Sequence, residues 1–379
     1  MRKDLVASAK RIVVKIGSRV LTSKGEELDF EVINERVEEI SNLAHAGREI
    51  LIVSSGAIAA GVKELRLRDL PRTIAQKQAV AAVGQSHLIW AYERAFRHHR
   101  QRVAQVLLTH EDVRHRARYL NARNTLLTLL RLAAIPIINE NDTVSVAEIK
   151  FGDNDTLSAM VADLVQADLL LILTDLDGLY TADPRLDAQA RLIPEVLRVT
   201  PEIEAMGGAS SYALGRGGML TKLQAAKKLA ASGIPTIIAN GLQRGVITAL
   251  LAGEPVGTLF HPEGRGLRGR KRWIVTTLRP RGVLTVDDGA KTAIVARGKS
   301  LLPSGIVEVA GEFEFGDLVR CCDRSGHEFA RGLVNFSGRD LQIIKGLHTS
   351  KIEATLGHKY YDEVIHRDNL VIWHEQGIC

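Results

Sequence analysis

The sequence has few cysteines and no long apolar run, and each absence excludes a class of protein. Three cysteines occur among 379 residues: Cys321 and Cys322 are adjacent, and Cys379 is the last residue. This spacing fits neither a disulfide framework nor a CxxC metal pair, so we expect reduced thiols. No stretch of eighteen apolar residues is present, as a membrane-spanning helix would require. The N-terminal residues also lack the apolar core of a secretory signal, which predicts a cytoplasmic protein without membrane association.

Common hydrolase motifs are missing as well. The chain contains no GxSxG elbow and no HExxH pair. The glycine-rich segment at residues 215–222 does not have the GxxxxGK[ST] spacing of a Walker loop. These absences argue against a serine hydrolase or a zinc protease.

The length and the apolar pattern predict two domains. A chain of 379 residues is too long for one ordinary domain. Over residues 1–256, short apolar strands alternate with helices, which predicts an α/β domain with a parallel sheet covered on both faces. Residues 257–279 are rich in arginine and glycine, and we interpret them as a solvated linker rather than a nucleic-acid contact. Residues 280–379 show short alternating strands and predict a small β-rich domain.

Polar clusters occur where the predicted strands end, and ligands of parallel sheets bind at that edge. The clusters are VKIGS at 14–18, SSGA at 54–57, NEND at 139–142, GDND at 152–155 and GRGGMLTK at 215–222. Taken singly, each has an ordinary structural interpretation as a helix cap, a turn or a lysine at a sheet edge. Together they predict a site for a small polar substrate and an anion.

Two lysines suggest that the anion is a phosphate. Lys15 lies in a strongly apolar strand, where an ammonium group is costly unless it meets an anion. Gly17 would let the backbone approach a phosphate closely. Lys222 follows a glycine-rich loop at the start of a predicted helix. Phosphoryl transfer depends mainly on positioning and charge neutralisation, so this arrangement favours a kinase over a hydrolase.

These motifs, in this order and together with LTDLDGLYTADPR at 173–185, resemble the amino acid kinase family, and within it the members that phosphorylate glutamate. VDDGA at 286–290 and SLLPSG at 300–305 resemble a PUA domain. The resemblance covers essentially the whole chain. It implies a three-layer amino acid kinase fold followed by a PUA-like domain. It also implies phosphorylation of L-glutamate by ATP to L-glutamyl 5-phosphate, the first step of proline biosynthesis, with Mg²⁺ bridging the ATP oxygens.

The resemblance also implies roles for individual residues. Lys15 and Lys222 would stabilise the transferring phosphoryl group from opposite sides, and Asp155 would orient both. The residues expected to bind the amino acid are Ser55, Asn139, Asp142, Asp153 and Asn154. The residues expected to bind ATP are Lys15, Gly17 and Gly56, the latter two through their backbone amides, with Thr174, Asp175, Arg216, Gly217, Gly218, Met219, Leu220, Thr221 and Lys222.

Some alternatives stay open at this point. A related kinase acting on acetylglutamate or aspartate is disfavoured by the PUA-like segment and by the NEND and GDND pair. RNA binding by the PUA-like segment is a further hypothesis, although its charge is mixed. The family resemblance also implies a homo-oligomer and an interaction with the next pathway enzyme, glutamate-5-semialdehyde dehydrogenase.

Overall fold

The computed structural model describes residues 2–23, 27–144, 154–208, 218–263, 280–359, 361–374 and 377–378. The chain divides into two compact units, Met1–Arg265 and Gly266–Cys379. Each unit has its own sheet and its own hydrophobic core. No helix in the described ranges has both the length and the apolar character needed to cross a bilayer.

Strands and helices alternate along the first unit. The strands are β1 (Arg11–Ile16), β2 (Thr22–Ser23), β3 (Glu27–Leu28), β4 (Glu49–Ser54), β5 (Arg102–Leu108), β6 (Ala134–Glu140), β7 (Leu169–Thr174), β8 (Glu195–Val196), β9 (Thr236–Asn240) and β10 (Thr258–Phe260). The helices are α1 (Arg2–Ala7), α2 (Ser18–Leu21), α3 (Phe30–His45), α4 (Ala57–Glu64), α5 (Ile74–His98), α6 (His110–Arg114), α7 (Arg116–Arg131), α8 (Asn154–Val165), α9 (Pro201–Gly208), α10 (Met219–Ala231) and α11 (Val246–Ala252).

Eight of these strands form one sheet in the described structure, in the order β5-β6-β4-β1-β7-β9-β10-β8. The pairs from β5 to β9 are parallel, which confirms the predicted parallel sheet. Strand β10 pairs antiparallel with β9 and parallel with β8.

Strand β10 also changes the expected limit of the large domain. The sequence analysis assigned Thr258–Phe260 to the linker, but all three residues of this strand are buried in the large sheet. Burial of Leu259 and Phe260 in the two cores of this unit explains why the sheet extends past residue 256. The rest of the expected linker, from residue 264 to 279, lies outside the described residues.

The alternation of side chains in β1 explains why the sheet lies as a middle layer between two layers of helices. Ile12, Val14 and Ile16 belong to one core, which includes residues of α3, α5 and α11. Val13 belongs to the other core, which includes residues of α8 and α10. Successive side chains of a strand point to opposite faces, so a strand with apolar residues at most positions is buried on both sides.

The second unit has a β-rich architecture, as predicted. Its strands are β11 (Gly282–Val286), β12 (Ile306–Gly311), β13 (Leu318–Cys322), β14 (Glu328–Leu333), β15 (Leu370–His374) and β16 (Gly377–Ile378). Its helices include α12 (Asp288–Arg297), α13 (Gly338–Ile344) and α14 (Ile352–Leu356). The described strands form one sheet in the order β12-β11-β13-β14-β15-β16. Cys321 and Cys322 are buried and free.

Two glycines, Gly61 of α4 and Gly84 of α5, allow these helices to pack very closely. A Cβ added at Gly84 of α5 would lie 1.7 Å from the carbonyl oxygen of Ala57 and 2.4 Å from the amide nitrogen of Gly61. Neither backbone atom could move without displacing α4. This helix begins directly after Ser55 and Gly56, so the contact fixes the position of that part of the polar cluster.

We therefore expect Gly84→Ala to destabilise the protein by about 1–3 kcal/mol, because the added methyl overpacks the α4–α5 contact. Gly208→Ala is the matched control, since a Cβ at Gly208 would meet no atom within 4 Å. Urea unfolding of both variants measures the effect. Equal stability of Gly84→Ala and Gly208→Ala would contradict this account of the contact.

Candidate active site

The carboxyl ends of β1, β4, β6 and β7 meet at one edge of the large sheet and line a cleft of about 1830 Å³. Ligand pockets usually have volumes of about 300–1,000 Å³. The cleft is therefore large enough for two small molecules side by side. Its lining includes predicted residues from every cluster that the sequence analysis identified, all of them in the first unit.

The centre of the cleft is a buried carboxylate between two lysines. Nζ of Lys15 lies 2.5 Å from Oδ1 of Asp155, and Nζ of Lys222 lies 3.0 Å from Oδ2 of the same residue. The hydroxyl of Thr221 donates to the same Oδ2 at 2.7 Å. The side chains of Lys15 and Lys222 are only 6% and 5% exposed, and that of Asp155 is fully buried. Lysines that are 207 residues apart in sequence therefore share one anion.

The charges of this triad are mutually dependent. Burial alone would raise the pKa of Asp155, but attraction to Lys15 and Lys222 and hydrogen bonds from Lys15 and Thr221 lower it to about 2. Burial, followed by repulsion from Lys15, lowers the pKa of Lys222, and attraction to Asp155 and Asp175 acts in the opposite direction. The carboxylate is therefore ionised at neutral pH, and it favours the charged form of Lys222.

An amide and hydroxyl cluster lies beside the triad. Nδ2 of Asn154 is 2.9 Å from Oγ of Ser55 and 3.0 Å from Oδ1 of Asn139. Nδ2 of Asn139 donates to Oε1 of Gln85 at 2.8 Å. Asp142 lines the same cleft and is half-buried. The structure thus brings together four of the five residues expected to bind the amino acid, and the fifth, Asp153, lies outside the described residues.

The residues expected to bind ATP belong mostly to the lining of the same cleft. Thr174, Asp175, Gly218, Met219 and Lys222 line the cleft. Thr221 and Leu220 do not belong to the lining. The hydroxyl of Thr221 contacts Asp155 instead. Arg216 and Gly217 lie outside the described residues.

The backbone amide of Gly17 does not face the cleft as the sequence suggested. Its N–H donates to the carbonyl of Leu173 at 3.0 Å and is therefore engaged within the sheet. A Cβ at this position would lie 3.2 Å from that carbonyl oxygen and 3.7 Å from Nζ of Lys15, which explains why glycine suits it. Gly56 has a φ of 106° directly before α4 and lines the cleft, and its role in binding ATP stays a prediction.

The model of the amino acid kinase family matches residues 10–240 of this chain, and the model of the PUA domain matches residues 282–356. The chain belongs to the amino acid kinase family. The glutamate 5-kinase of Trichlorobacter lovleyi is 54% identical to this kinase over 98% of this chain and 99% of its own length. The glutamate 5-kinase of Geobacter sulfurreducens is 52% identical over 98% of this chain and 100% of its own length. This level of identity groups the kinase with the glutamate 5-kinases.

A solved structure, the UMP kinase of Bacillus anthracis, is 16% identical to this kinase. It covers 68% of this chain and 97% of its own, with a TM-score of 0.47. The family assignment does not depend on this match.

The sequence did not indicate Arg19, which lines the cleft, or Gln85, which accepts a hydrogen bond from Asn139. Arg19 lies two residues after Gly17, and its Nη1 is 2.8 Å from Oδ2 of Asp175. Burial would raise the pKa of Asp175, but the hydrogen bond and the charge of Arg19 outweigh burial and lower it. The position of Arg19 directly after the VKIGS cluster was a signal that could have identified it. Gln85, in the middle of the long helix α5, carries no such signal.

The low pKa of Asp155 predicts a contribution to stability that depends on pH. A group whose folded pKa lies below its unfolded value stabilises the fold above the unfolded pKa, and this contribution is lost as pH falls through the folded pKa. For Asp155 the pH window runs from the ordinary pKa of 3.8 down to about 2. This pKa shift corresponds to about 2 kcal/mol in the free energy of unfolding. We expect the stability advantage of the wild type over Asp155→Asn to shrink across this window.

Urea unfolding of both proteins at a series of acidic pH values measures this difference. Asp163→Asn is the matched control, because it removes one carboxylate from the same helix without touching either lysine. An advantage over Asp155→Asn that stays constant down to pH values of about 2 would show that the carboxylate is not held ionised by the lysines.

Proposed function

We propose that this kinase transfers the terminal phosphoryl group of ATP to the side-chain carboxylate of L-glutamate and forms L-glutamyl 5-phosphate, the first step of proline biosynthesis. The observation that carries the proposal is the convergence of Lys15 and Lys222 on Asp155 beside the amide cluster. The curated relatives with 54% and 52% identity are named glutamate 5-kinases, which supports glutamate as the substrate.

The chemistry requires charge neutralisation rather than a general base. The attacking carboxylate is already ionised at neutral pH. The main barrier is repulsion between this carboxylate and the phosphates of ATP, and ammonium groups fixed in advance reduce it. Lys15 and Lys222 supply two such groups from different elements, β1 and α10. Asp155 holds both, so neither has to be ordered when the substrates arrive.

The cluster around Asn154 is suited to the amino acid end of the substrate. Asn139, Asn154 and Ser55 offer amide and hydroxyl groups, which can donate to a carboxylate or accept from an amine. Asp142 adds a carboxylate that can bind an ammonium group, and Asp153 is proposed for the same region on the family resemblance. The side-chain carboxylate of glutamate would then extend toward Lys15 and Lys222.

The start of α10 is suited to the phosphates of the nucleotide. Gly218 is the N-cap of this 13-residue helix and makes no side-chain cap. The first-turn N–H groups of a helix carry partial positive charge and bind phosphate readily. This supports an ATP-binding role for Gly218, Met219, Leu220 and Thr221 through the backbone. Thr174 and Asp175 are proposed to contact the same nucleotide, as are Arg216 and Gly217.

We propose that Mg²⁺ enters with ATP. In the described part of the chain, no group of three or more His, Cys, Asp or Glu side chains is placed to hold a metal ion. Asp155, the carboxylate between the lysines, is already paired with both of them. The ion would therefore be held mainly by phosphate oxygens and water, where it supplies further charge neutralisation.

The proposal is tested by measuring ATP turnover with a panel of amino acids while the acyl phosphate is trapped with hydroxylamine. We expect L-glutamate to give the most hydroxamate, well above aspartate and N-acetylglutamate. Greater hydroxamate formation with either of those acids would assign the kinase to a different substrate.

Lys222→Ala tests the role of the second lysine. Because this ammonium is proposed to act on the transition state, we expect kcat to fall by about 10²–10³-fold while the KM for glutamate changes little. Lys227→Ala is the control: it lies on the same helix, is half exposed and pairs with Glu204 outside the cleft. An unchanged kcat with a raised KM for glutamate would exclude the transition-state role.

The second unit adds no function to this proposal. Its described surface has mixed charge, with several basic side chains held by acidic ones: Lys291 by Asp323, Arg331 by Glu328 and Lys359 by Asp362. These pairs neutralise part of the basic surface that RNA binding would require, and RNA binding remains a hypothesis. A homo-oligomer and an interaction with glutamate-5-semialdehyde dehydrogenase remain predictions from the family resemblance, and a cytoplasmic location remains a prediction from the N-terminal sequence.

A further inference from the structure

Arg19 is a cation of the cleft that the mechanism above does not use. It lies on α2, close in sequence to Lys15, and it lines the same cleft as Lys15 and Lys222. Its side chain is 58% exposed, whereas those of the two lysines are 6% and 5% exposed. The guanidinium group can therefore reorient, which the buried ammonium groups cannot do without breaking their packing.

The charges of the cleft give Arg19 a particular importance. Lys15, Lys222 and Asp155 together carry one net positive charge at neutral pH. Asp175 adds a carboxylate near enough to influence Lys222 electrostatically. The ion pair with Arg19, at 2.8 Å, balances that carboxylate. Arg19 therefore adds a further cation to the lining of the cleft.

We propose that Arg19 is an ATP-binding residue, whose guanidinium pairs with Asp175 in the free enzyme and moves to an oxygen of the triphosphate when ATP binds. The inference rests on the proposed function, since it takes ATP as the phosphoryl donor. An exposed Arg–Asp pair is a weak interaction. A guanidinium group matches the geometry of phosphate oxygens, and the triphosphate carries several negative charges where Asp175 carries one. The exchange of partners is therefore favourable.

The test is the equilibrium binding of ATP by the full chain in the absence of any amino acid. We expect Arg19→Ala to weaken ATP binding by about tenfold, the loss of one charge-assisted contact. The ATP affinity of Arg19→Lys should fall between those of the wild type and Arg19→Ala, because lysine keeps the charge but lacks the planar guanidinium group. Arg244→Ala is the matched control: this arginine pairs with Glu35 at 2.7 Å, is 80% exposed and does not line the cleft. A thermal melt of each variant checks that it is folded.

Making the same substitution in an Asp175→Asn protein separates direct binding of ATP by Arg19 from an effect through Asp175. If Arg19 contacts the triphosphate, Arg19→Ala should still weaken ATP binding by about tenfold in an Asp175→Asn protein. If Arg19 only neutralises Asp175, the same change should have almost no effect in that background. The second result would overturn the proposal, as would unchanged ATP binding by folded Arg19→Ala in the wild-type background.

The binding experiment is independent of the phosphoryl acceptor. A wild-type enzyme that binds ATP but forms no hydroxamate with L-glutamate would contradict the proposed function, and the Arg19 comparison would still give its answer. Hydroxamate formation together with unchanged ATP binding by Arg19→Ala would contradict only the role of Arg19.

Discussion

The site depends on one buried carboxylate that holds two buried ammonium groups. Each of these three charges would be strongly unfavourable in the interior by itself, because removal from water costs several kcal/mol per ion. The group is stable only when all three are present, with Lys15 and Lys222 on the two oxygens of Asp155. The free enzyme thus holds two ammonium groups at the centre of the cleft. Pairing with Asp155 also fixes that charge in space before the substrates bind.

The fold makes this arrangement possible because parallel strands end at one edge of the sheet. Strand β1 delivers Lys15, and the helices α8 and α10, which belong to the core on one face of the sheet, deliver Asp155 and Lys222. The tight contact of Gly84 with α4 holds the segment that carries Ser55 at the same edge. Elements from both faces of the sheet therefore line the cleft.

Much of this site follows from the sequence, for a physical reason. The clusters at the ends of apolar strands had to meet, because a parallel sheet brings those ends together. Hydrogen bonds that depend on strand register could not be foreseen in the same way. The amide of Gly17 is taken by Leu173, and Arg19 meets Asp175 across 156 residues of sequence. Strand Thr258–Phe260 is too short to show an alternation of apolar and polar residues. The roles of Asp153, Arg216 and Gly217 stay predictions.

The most direct test of the account is a structure of the kinase with ADP, L-glutamate and a planar metal fluoride that imitates the transferring phosphoryl group. The account predicts that the Nζ atoms of Lys15 and Lys222 both lie within hydrogen-bond distance of the fluorides, about 3 Å, from opposite sides, with Asp155 still between them. A complex in which either lysine points away from the planar group would contradict it.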